Sequence, residues 1–363
     1  MVKKKILHIH PHDEQLLNYL ESNLTLNKHE NTIIHHEEIK LSNRVINSTS
    51  YHSVLRVPII YKHPFNWIIS LRKIVLNKKF DIIHSHMGWF SLFVLISIIG
   101  FKGKKVVHIH NSKPRSKNII FRVFLLLSKF FINKYFDLKL ACSTSSGNDL
   151  FGHDYINLPN LIDYEKFKFQ ENSRIKFRKE LGIKNHINVL CHIGDFNKEK
   201  NHFFLIDIMK NLVKLDNNKI LVLVGGGTPN EKSTLQKYIT SNNLDSKVFF
   251  LGFRNDIPEV LSGSDIFIFP SKSEGFGMSL VEAQISGLPC LYSSEIPNDA
   301  IIQYENIKSK DLSLGPSSWA EEIENFKICS IEKRKNLYSD ASQSLNVNSQ
   351  TKNKLNESYL LLK

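Results

Sequence analysis

Ten short apolar runs, many rich in β-branched residues, recur along this chain, separated by stretches with helical spacing. "KKILHIH", "NTIIHH", "FDIIHSH", "KKVVHIH" and "LKLACS" lie in the first half, and "INVLCHIGD", "KILVLVGGG", "KVFFLGF", "DIFIFPS" and "PCLYSS" in the second. A strand reads as continuously apolar, not alternating, when both faces of its sheet are covered. Such strands in alternation with helices build parallel sheets. Ligands of these sheets gather at the carboxyl ends of the strands. A chain of 363 residues is also too long for one comfortable core. The expectation is therefore an α/β protein with two Rossmann-like domains facing across a cleft. The rhythm breaks at "NLPNLIDYEKFKFQENSR" (Asn157 to Arg174), which places domains at residues 1–165 and 166–345.

Composition removes several classes. Cys142, Cys191, Cys290 and Cys329 form no C-x-x-C pair, which argues against a disulfide framework or a structural zinc site and for a reducing compartment. The first residues, MVKKKILHIH, reach the charged "HDEQ" too soon for a secretory signal. The longest apolar run, Gly88 to Phe101, is shorter than the roughly 20 residues a membrane span needs and reads as a buried helix. The net charge of +13 is unevenly placed: residues 101–140 hold ten Lys or Arg, Arg115, Arg122 and Lys134 among them, against a single acid, Asp137. In "KPRSKNIIFRVFLLLSKFFINKYF" cations interleave with bulky apolar residues, as on a helix lying on an anionic membrane face. A core helix with a solvated basic face is the plainer alternative. No nucleic-acid motif accompanies the charge.

The second half carries the more specific signals. In "SEGFGMSLVEA" a glycine-rich turn joins the strand "DIFIFPS" to a helix starting near Met278 or Ser279. Backbone amides there can approach a ligand, and a helix start favours phosphate or sugar hydroxyl. Glu274 precedes that start and Glu282 is expected in its first turn; carboxylates accept hydrogen bonds only, so the pair suits a hydroxyl-rich ligand. In "CHIGDFNKEKNHFFLIDI" a strand ends at Gly194, and Lys200, just before a helix from about His202, can offer a point charge to a diphosphate. Gly225, Gly226 and Gly227 close a further strand, without the spacing of a dinucleotide fingerprint.

Together these residues resemble the retaining glycosyltransferases of family four, with the GT-B fold, and among them the bacterial capsular and exopolysaccharide enzymes. "DIIHSHMG", "VVHIHNSK", "LPNLIDYEKFKF", "KNHFFLIDI", "LVLVGGG" and "FLGFRNDIPEVLSGSDIFIFPSKSEGFGMSLVEAQISGLPC" fall in the family's order from about residue 80 to 322. The resemblance implies that Glu274 contacts the donor sugar near the reacting carbon and that Glu282 holds the ribose hydroxyls. It implies that amides of Phe276, Gly277 and Met278 meet sugar hydroxyls and phosphate, with Lys200 offsetting the charge on the departing diphosphate. Gly194 and Gly225 fall in the nucleotide loops, Phe253 and Arg254 where the family borders the base, and His110 at the active-site histidine. A nucleotide sugar, UDP- rather than GDP-linked, is the implied donor, with no further cofactor and no metal. The implied acceptor is a lipid-linked glycan, which places the enzyme in the cytoplasm, peripheral at the inner membrane face. Residues 346–363 are expected to return to the first domain as a helix.

Two departures stand out. Asp195 occupies the place of the family's usual arginine, where an acid would repel phosphate unless it turns away. "HIHPHDEQLL" replaces the glycine-rich turn that many relatives have near the acceptor. The pairs His8/His10, His84/His86 and His108/His110 also have same-face spacing on strands and could chelate zinc, with His12 and Asp13 nearby. A metal-dependent hydrolase is thus one rival reading and a nucleotide-sugar epimerase another; neither explains the E-x7-E stretch as well as a transferase does.

Overall fold

The structure is a computed structural model, and residues 3–10, 29–36, 51–114, 117–160, 162–302, 306–336, 354, 355, 357–359 and 362 are described. Arg115, His12, Asp13 and most of the "HIHPHDEQLL" segment lie outside the described residues, as does the expected boundary at 345/346. The chain divides into two compact units, Met1–Leu161 with Val347–Lys363, and Ile162–Asn346.

Unit one is a seven-stranded sheet in the order β3-β2-β1-β4-β5-β6-β7. Its strands are β1 (Lys5–Ile9), β2 (Glu30–His36), β3 (Ser53–Val57), β4 (Ile82–Ser85), β5 (Lys104–Ile109), β6 (Leu138–Ala141) and β7 (Ile156–Asn157). Every neighbouring pair is parallel. The helices α1 (Pro64–Asn77), α2 (Ser91–Ser97), α3 (Ile119–Tyr135) and α4 (Thr144–Leu150) belong to the same unit. One sheet face packs Leu7, Ile34 and Ile83 against Trp67 and Leu71 of α1. The other packs Ile6, Ile33, Ile82 and Val106 with Leu355, Tyr359 and Leu362 near the end of the chain. Tyr359 Oη lies 2.5 Å from His84 Nδ1, and Lys4 Nζ donates to the Tyr359 and Leu362 carbonyls at 2.9 and 3.0 Å.

Unit two repeats the plan with six parallel strands in the order β10-β9-β8-β11-β12-β13. They are β8 (Asn188–Ile193), β9 (Lys219–Val224), β10 (Val248–Gly252), β11 (Ile266–Phe269), β12 (Cys290–Ser293) and β13 (Ile307–Lys310). Its helices are α5 (Tyr164–Phe167), α6 (Glu171–Glu180), α7 (His202–Leu215), α8 (Pro229–Ser241), α9 (Ile257–Gly263), α10 (Met278–Ile285) and α11 (Gly315–Glu324). Three arginines brace the unit, and two of them, Arg178 and Arg334, are buried. Arg178 and Arg174 both pair with Asp265, at 3.1 and 2.7 Å, and Arg334 donates to the carbonyls of Leu261, Ser262, Ser264 and Ser286. In each sheet the strand order reverses once in the middle, at β1/β4 and at β8/β11. Loops diverge there, and the crevice they leave is where doubly wound sheets take ligands.

The run Gly88 to Phe101 is not the buried helix expected of it. A 3₁₀ turn (Gly88–Phe90) leads into α2, which buries Val94 but leaves Ile96 exposed, as is Ile99 just beyond it. The neighbouring α3 behaves alike: Leu125, Ser128 and Ile132 face inward, while Ile119, Ile120, Val123, Leu126, Leu127 and Phe130 are exposed. Those exposed positions recur at helical spacing, so α3 has a second, outward apolar stripe in place of a purely basic one. No helix among the described residues is long and apolar enough to cross a membrane.

Candidate functional site

The loops after β8 and β11 converge at the reversal point of unit two. Asn197 accepts from the amides of Glu199 and Lys200, at 3.1 Å each, and so closes a 3₁₀ turn that ends at Lys200. Asn201 then takes a left-handed conformation, φ 60°, which asparagine tolerates better than most residues, and α7 starts. The Lys200 stem passes over Gly194, where an added Cβ would stand 3.0 Å from its Cδ. Its ammonium lies 5.2 Å from the Phe269 ring centroid and 2.6 Å from Glu274 Oε1. The Lys200 and Glu274 side chains are 19% and 11% exposed, so the pair is shielded yet still reachable from solvent.

Three further bonds fix these loops. The Lys272 amide donates to the Glu199 carbonyl at 2.7 Å, Asn201 Nδ2 to the Pro270 carbonyl at 3.2 Å, and Ser279 Oγ to the Ile193 carbonyl at 3.0 Å. The last of these holds the start of α10 against the end of β8. Gly277 caps that helix at φ 97°, a left-handed conformation a side chain would strain, and Phe276 before it is buried. The first amides of α10, from Met278 onward, therefore open near Lys200 with their dipole positive end.

The glycine turn after β9 closes the same region. A Cβ on Gly225 would meet the Gly194 carbonyl oxygen at 2.1 Å, so the two loops touch only because Gly225 lacks a side chain. Asp195 does turn away: its carboxylate accepts from the Gly226 amide at 3.2 Å and thereby ties the β8 loop to the β9 loop. A shallow cavity of about 480 Å³ lies beside this turn, lined by Phe196, Lys232, Ser233, Gln236 and residues 250–252.

Glu282 needs correction as to place. Because α10 starts at Met278, Glu282 is its fifth residue, in the second turn, and no acid occupies the first. Favourable interaction with the helix dipole cannot be its purpose there. Burial pushes its carboxyl up to about 7, opposed only weakly by Lys166, and among the described residues its oxygens have no hydrogen-bond partner. A carboxylate so placed is ready to accept hydroxyls from a ligand.

Three sequence-selected residues lie outside this cluster of contacts. Arg254 is spent on Glu180 (2.6 and 3.0 Å) and Asp256 (2.8 Å), partners that raise its pKa further. Phe253 beside it is 70% exposed, a free ring face. His110 belongs to unit one, just past β5, where Asn160 and His86 bond its two ring nitrogens. Sequence reading missed Asn197, Asn201 and Ser279, which position Lys200 and α10. An asparagine immediately before "KEK" is a cap signal that could have been used.

Residues 173–343, nearly all of unit two, match the family model "Glycosyl transferases group 1". Unit two thus carries that group's sequence, and the curated relatives the chain matches are named as glycosyltransferases. The transferase is 28% identical over 253 residues to the UDP-Gal:alpha-D-GlcNAc-diphosphoundecaprenol alpha-1,3-galactosyltransferase of Escherichia coli, which spans 66% of this chain and 64% of that protein. It is 26% identical over 306 residues to the capsular polysaccharide biosynthesis glycosyltransferase CapH of Staphylococcus aureus, 83% and 81% of the two chains. Thus it spans just under two thirds of the first relative and more of the second. Its fold matches that of Anabaena HepE, solved with UDP and glucose, at a TM-score of 0.80 and 18% identity, covering 98% and 99% of the chains. The fold is GT-B, two parallel-sheet units in one chain.

Proposed function

We propose that the transferase moves a sugar, with retention, from a nucleotide-sugar donor to a lipid-linked oligosaccharide in surface polysaccharide synthesis. The observation that carries this reading is the Lys200–Glu274 pair at the β8/β11 reversal, flanked by the start of α10. Transfer builds negative charge on the leaving diphosphate. Lys200 and the α10 amides supply fixed positive charge to it, an effect that needs no metal. Gly194 and Gly225 leave the backbone bare for phosphate, and Glu282 accepts the ribose hydroxyls. Glu274 stands beside the sugar, where Lys200 holds its carboxylate in place. On the family resemblance, His110 is assigned the role of the active-site histidine. UDP is favoured over GDP, and the cavity beside Gly252, with the Phe253 ring, suits a small base.

The acceptor class is supported by the names of the relatives and by the outward face of α3. Ile120, Leu126 and Phe130 are exposed there beside Arg122 and Lys134, an arrangement that suits insertion into an anionic leaflet. The enzyme would then work in the cytoplasm, peripheral at the inner membrane face. Purified transferase is to be offered UDP- and GDP-sugars with a polyisoprenyl-diphosphate-linked sugar as acceptor. Turnover with a UDP-sugar and an axial product linkage from an axial donor is expected. Hydrolysis or epimerisation without transfer, or an inverted product, would refute the reading.

A further inference from the structure

A small base in the cavity beside Gly252 needs side chains that read its polar edge, and α8 carries them. The loop that holds Lys200 also brings Phe196 to this cavity. Two contacts fix that ring. The Phe196 amide donates to the Gly226 carbonyl at 2.6 Å, and a Cβ on Gly227 would meet Phe196 Cβ at 2.8 Å, so the glycine makes room for it. Phe250 stands edge-on to Phe196, with ring centroids 5.4 Å apart. A flat heterocycle can rest against such rings, while its polar atoms must find partners elsewhere in the lining.

Those partners come from one helix. Lys232, Ser233 and Gln236 of α8 line the cavity, and all three are exposed. At about 100° per residue, Ser233 lies about 100° around the helix from Lys232 and Gln236 about 40°, so Gln236 sits between the other two, one turn on. Lys232 only donates, and the Ser233 hydroxyl can donate. Gln236 could offer either arm of its amide, and Asp245 decides which. Gln236 Nε2 lies 3.2 Å from Asp245 Oδ1, which also accepts from Thr240 Oγ1 at 2.7 Å. A carboxylate only accepts, so the amide nitrogen must face it, and Oε1 is the arm left for a ligand. The three side chains therefore present donor, acceptor, donor.

The pairing edges of the bases differ in this respect. Uracil shows carbonyl, N–H, carbonyl; guanine shows carbonyl, N–H, amino; cytosine shows amino, bare nitrogen, carbonyl; adenine shows amino and bare nitrogen. Uracil alone complements all three groups. We propose that Gln236, flanked by Lys232 and Ser233 and oriented by Asp245, reads the base of the donor and selects uracil. This rests on the nucleotide site proposed above and adds the residues that set its specificity. Gln236 accepts from the N3–H of uracil, Lys232 and Ser233 donate to the carbonyls on either side, and Asp245 is a positioning residue that acts through Gln236. A base with a bare nitrogen at that point would face Oε1 lone pair to lone pair, which is how a hydrogen-bonding site rejects the wrong ligand.

The full chain is to be titrated by calorimetry with UDP, CDP, GDP, N3-methyl-UDP and inorganic diphosphate. Wild type should bind UDP roughly tenfold more tightly than CDP or GDP. Gln236→Leu, an exposed substitution, should weaken UDP roughly 2–10-fold and leave CDP and inorganic diphosphate unchanged. N3-methyl-UDP should bind wild type and variant alike. Asp245→Ala, which keeps Gln236 but frees its amide to turn, should also lower the ratio of UDP to CDP affinity. Equal binding of UDP and CDP by wild type, or a ratio that Gln236→Leu does not move, overturns this inference and leaves the nucleotide site standing. A variant that weakens every ligand together marks Gln236 as merely structural and overturns it too. If no nucleoside diphosphate binds at all, the site and the inference fall together.

Discussion

Replacing Glu282 by glutamine should stabilise the empty transferase and at the same time cripple its nucleotide site. The folded chain keeps the Glu282 proton up to about pH 7, while the unfolded chain releases it near 4.5. Between those values the folded state binds more protons, so Glu282 makes stability fall as pH rises, and the loss is complete above about 7. The difference corresponds to about 3 kcal/mol, and partial exposure of the side chain reduces this to about 1–2 kcal/mol. Glutamine carries no charge, so Glu282→Gln should melt higher than wild type at pH 8, by about 2–8 °C for a unit of this size. At pH 5 the two should coincide. Nucleotide binding should move oppositely. Hydrogen bonds to a charged group contribute about 1.5–3 kcal/mol, so UDP affinity should drop at least about tenfold in the variant. Wild-type affinity should rise with pH through 7 as the carboxylate ionises, and that rise should disappear in Glu282→Gln. Differential scanning fluorimetry at the two pH values and calorimetric UDP titrations suffice. A variant that melts like wild type at pH 8, or binds UDP as well, refutes the assignment.

The other expectations follow from single contacts. Lys200→Met should lower turnover by roughly 10²–10³-fold with a smaller effect on donor KM, measured in steady-state transfer assays; the Glu274→Gln/Lys200→Met double variant should recover stability lost by Lys200→Met alone. Gly225→Ala drives a methyl into the Gly194 carbonyl at φ 151°, and should cost more than about 2 kcal/mol in urea unfolding while abolishing UDP binding. Leu126→Ser with Phe130→Ser should reduce cosedimentation with vesicles containing anionic lipid, without changing Tm by more than about 1–2 °C. Added salt should weaken wild-type binding to the same vesicles.

The strands written as continuous apolar runs were all legible, because burial on both faces leaves no polar positions to blur the signal. Those that escaped notice lie at sheet edges. β3 reads "SVLRV" with Arg56 outward, β7 has two residues, and β13 reads "IKSK", with lysines on the open rim. Edge strands need half the apolar surface and gain from charges that block pairing with other chains, so their sequences look like loops. The clamp made by Arg334 was invisible for another reason. Its partners are backbone carbonyls of Leu261, Ser262, Ser264 and Ser286, which have no sequence signature at all.

The site was legible where chemistry demands a residue type and illegible where it demands only a position. A cation for a diphosphate and bare backbone for its oxygens can be met by few residues, so Lys200, Gly194 and Gly225 stand out in the sequence. Glu282 also stood out, but it lies one residue beyond the first turn of its helix, and only the fold reveals a carboxyl that is largely buried and, among the described residues, without a hydrogen-bond partner. The same distinction separates the two reversal points. At β8/β11 the loops supply a lysine and helix amides, a combination that answers to negative charge. At β1/β4 the described strand ends supply imidazoles and amide oxygens instead. Two sheets with the same central order thus differ in what they offer a ligand, and among the described residues the difference lies in those at the ends of the central strands.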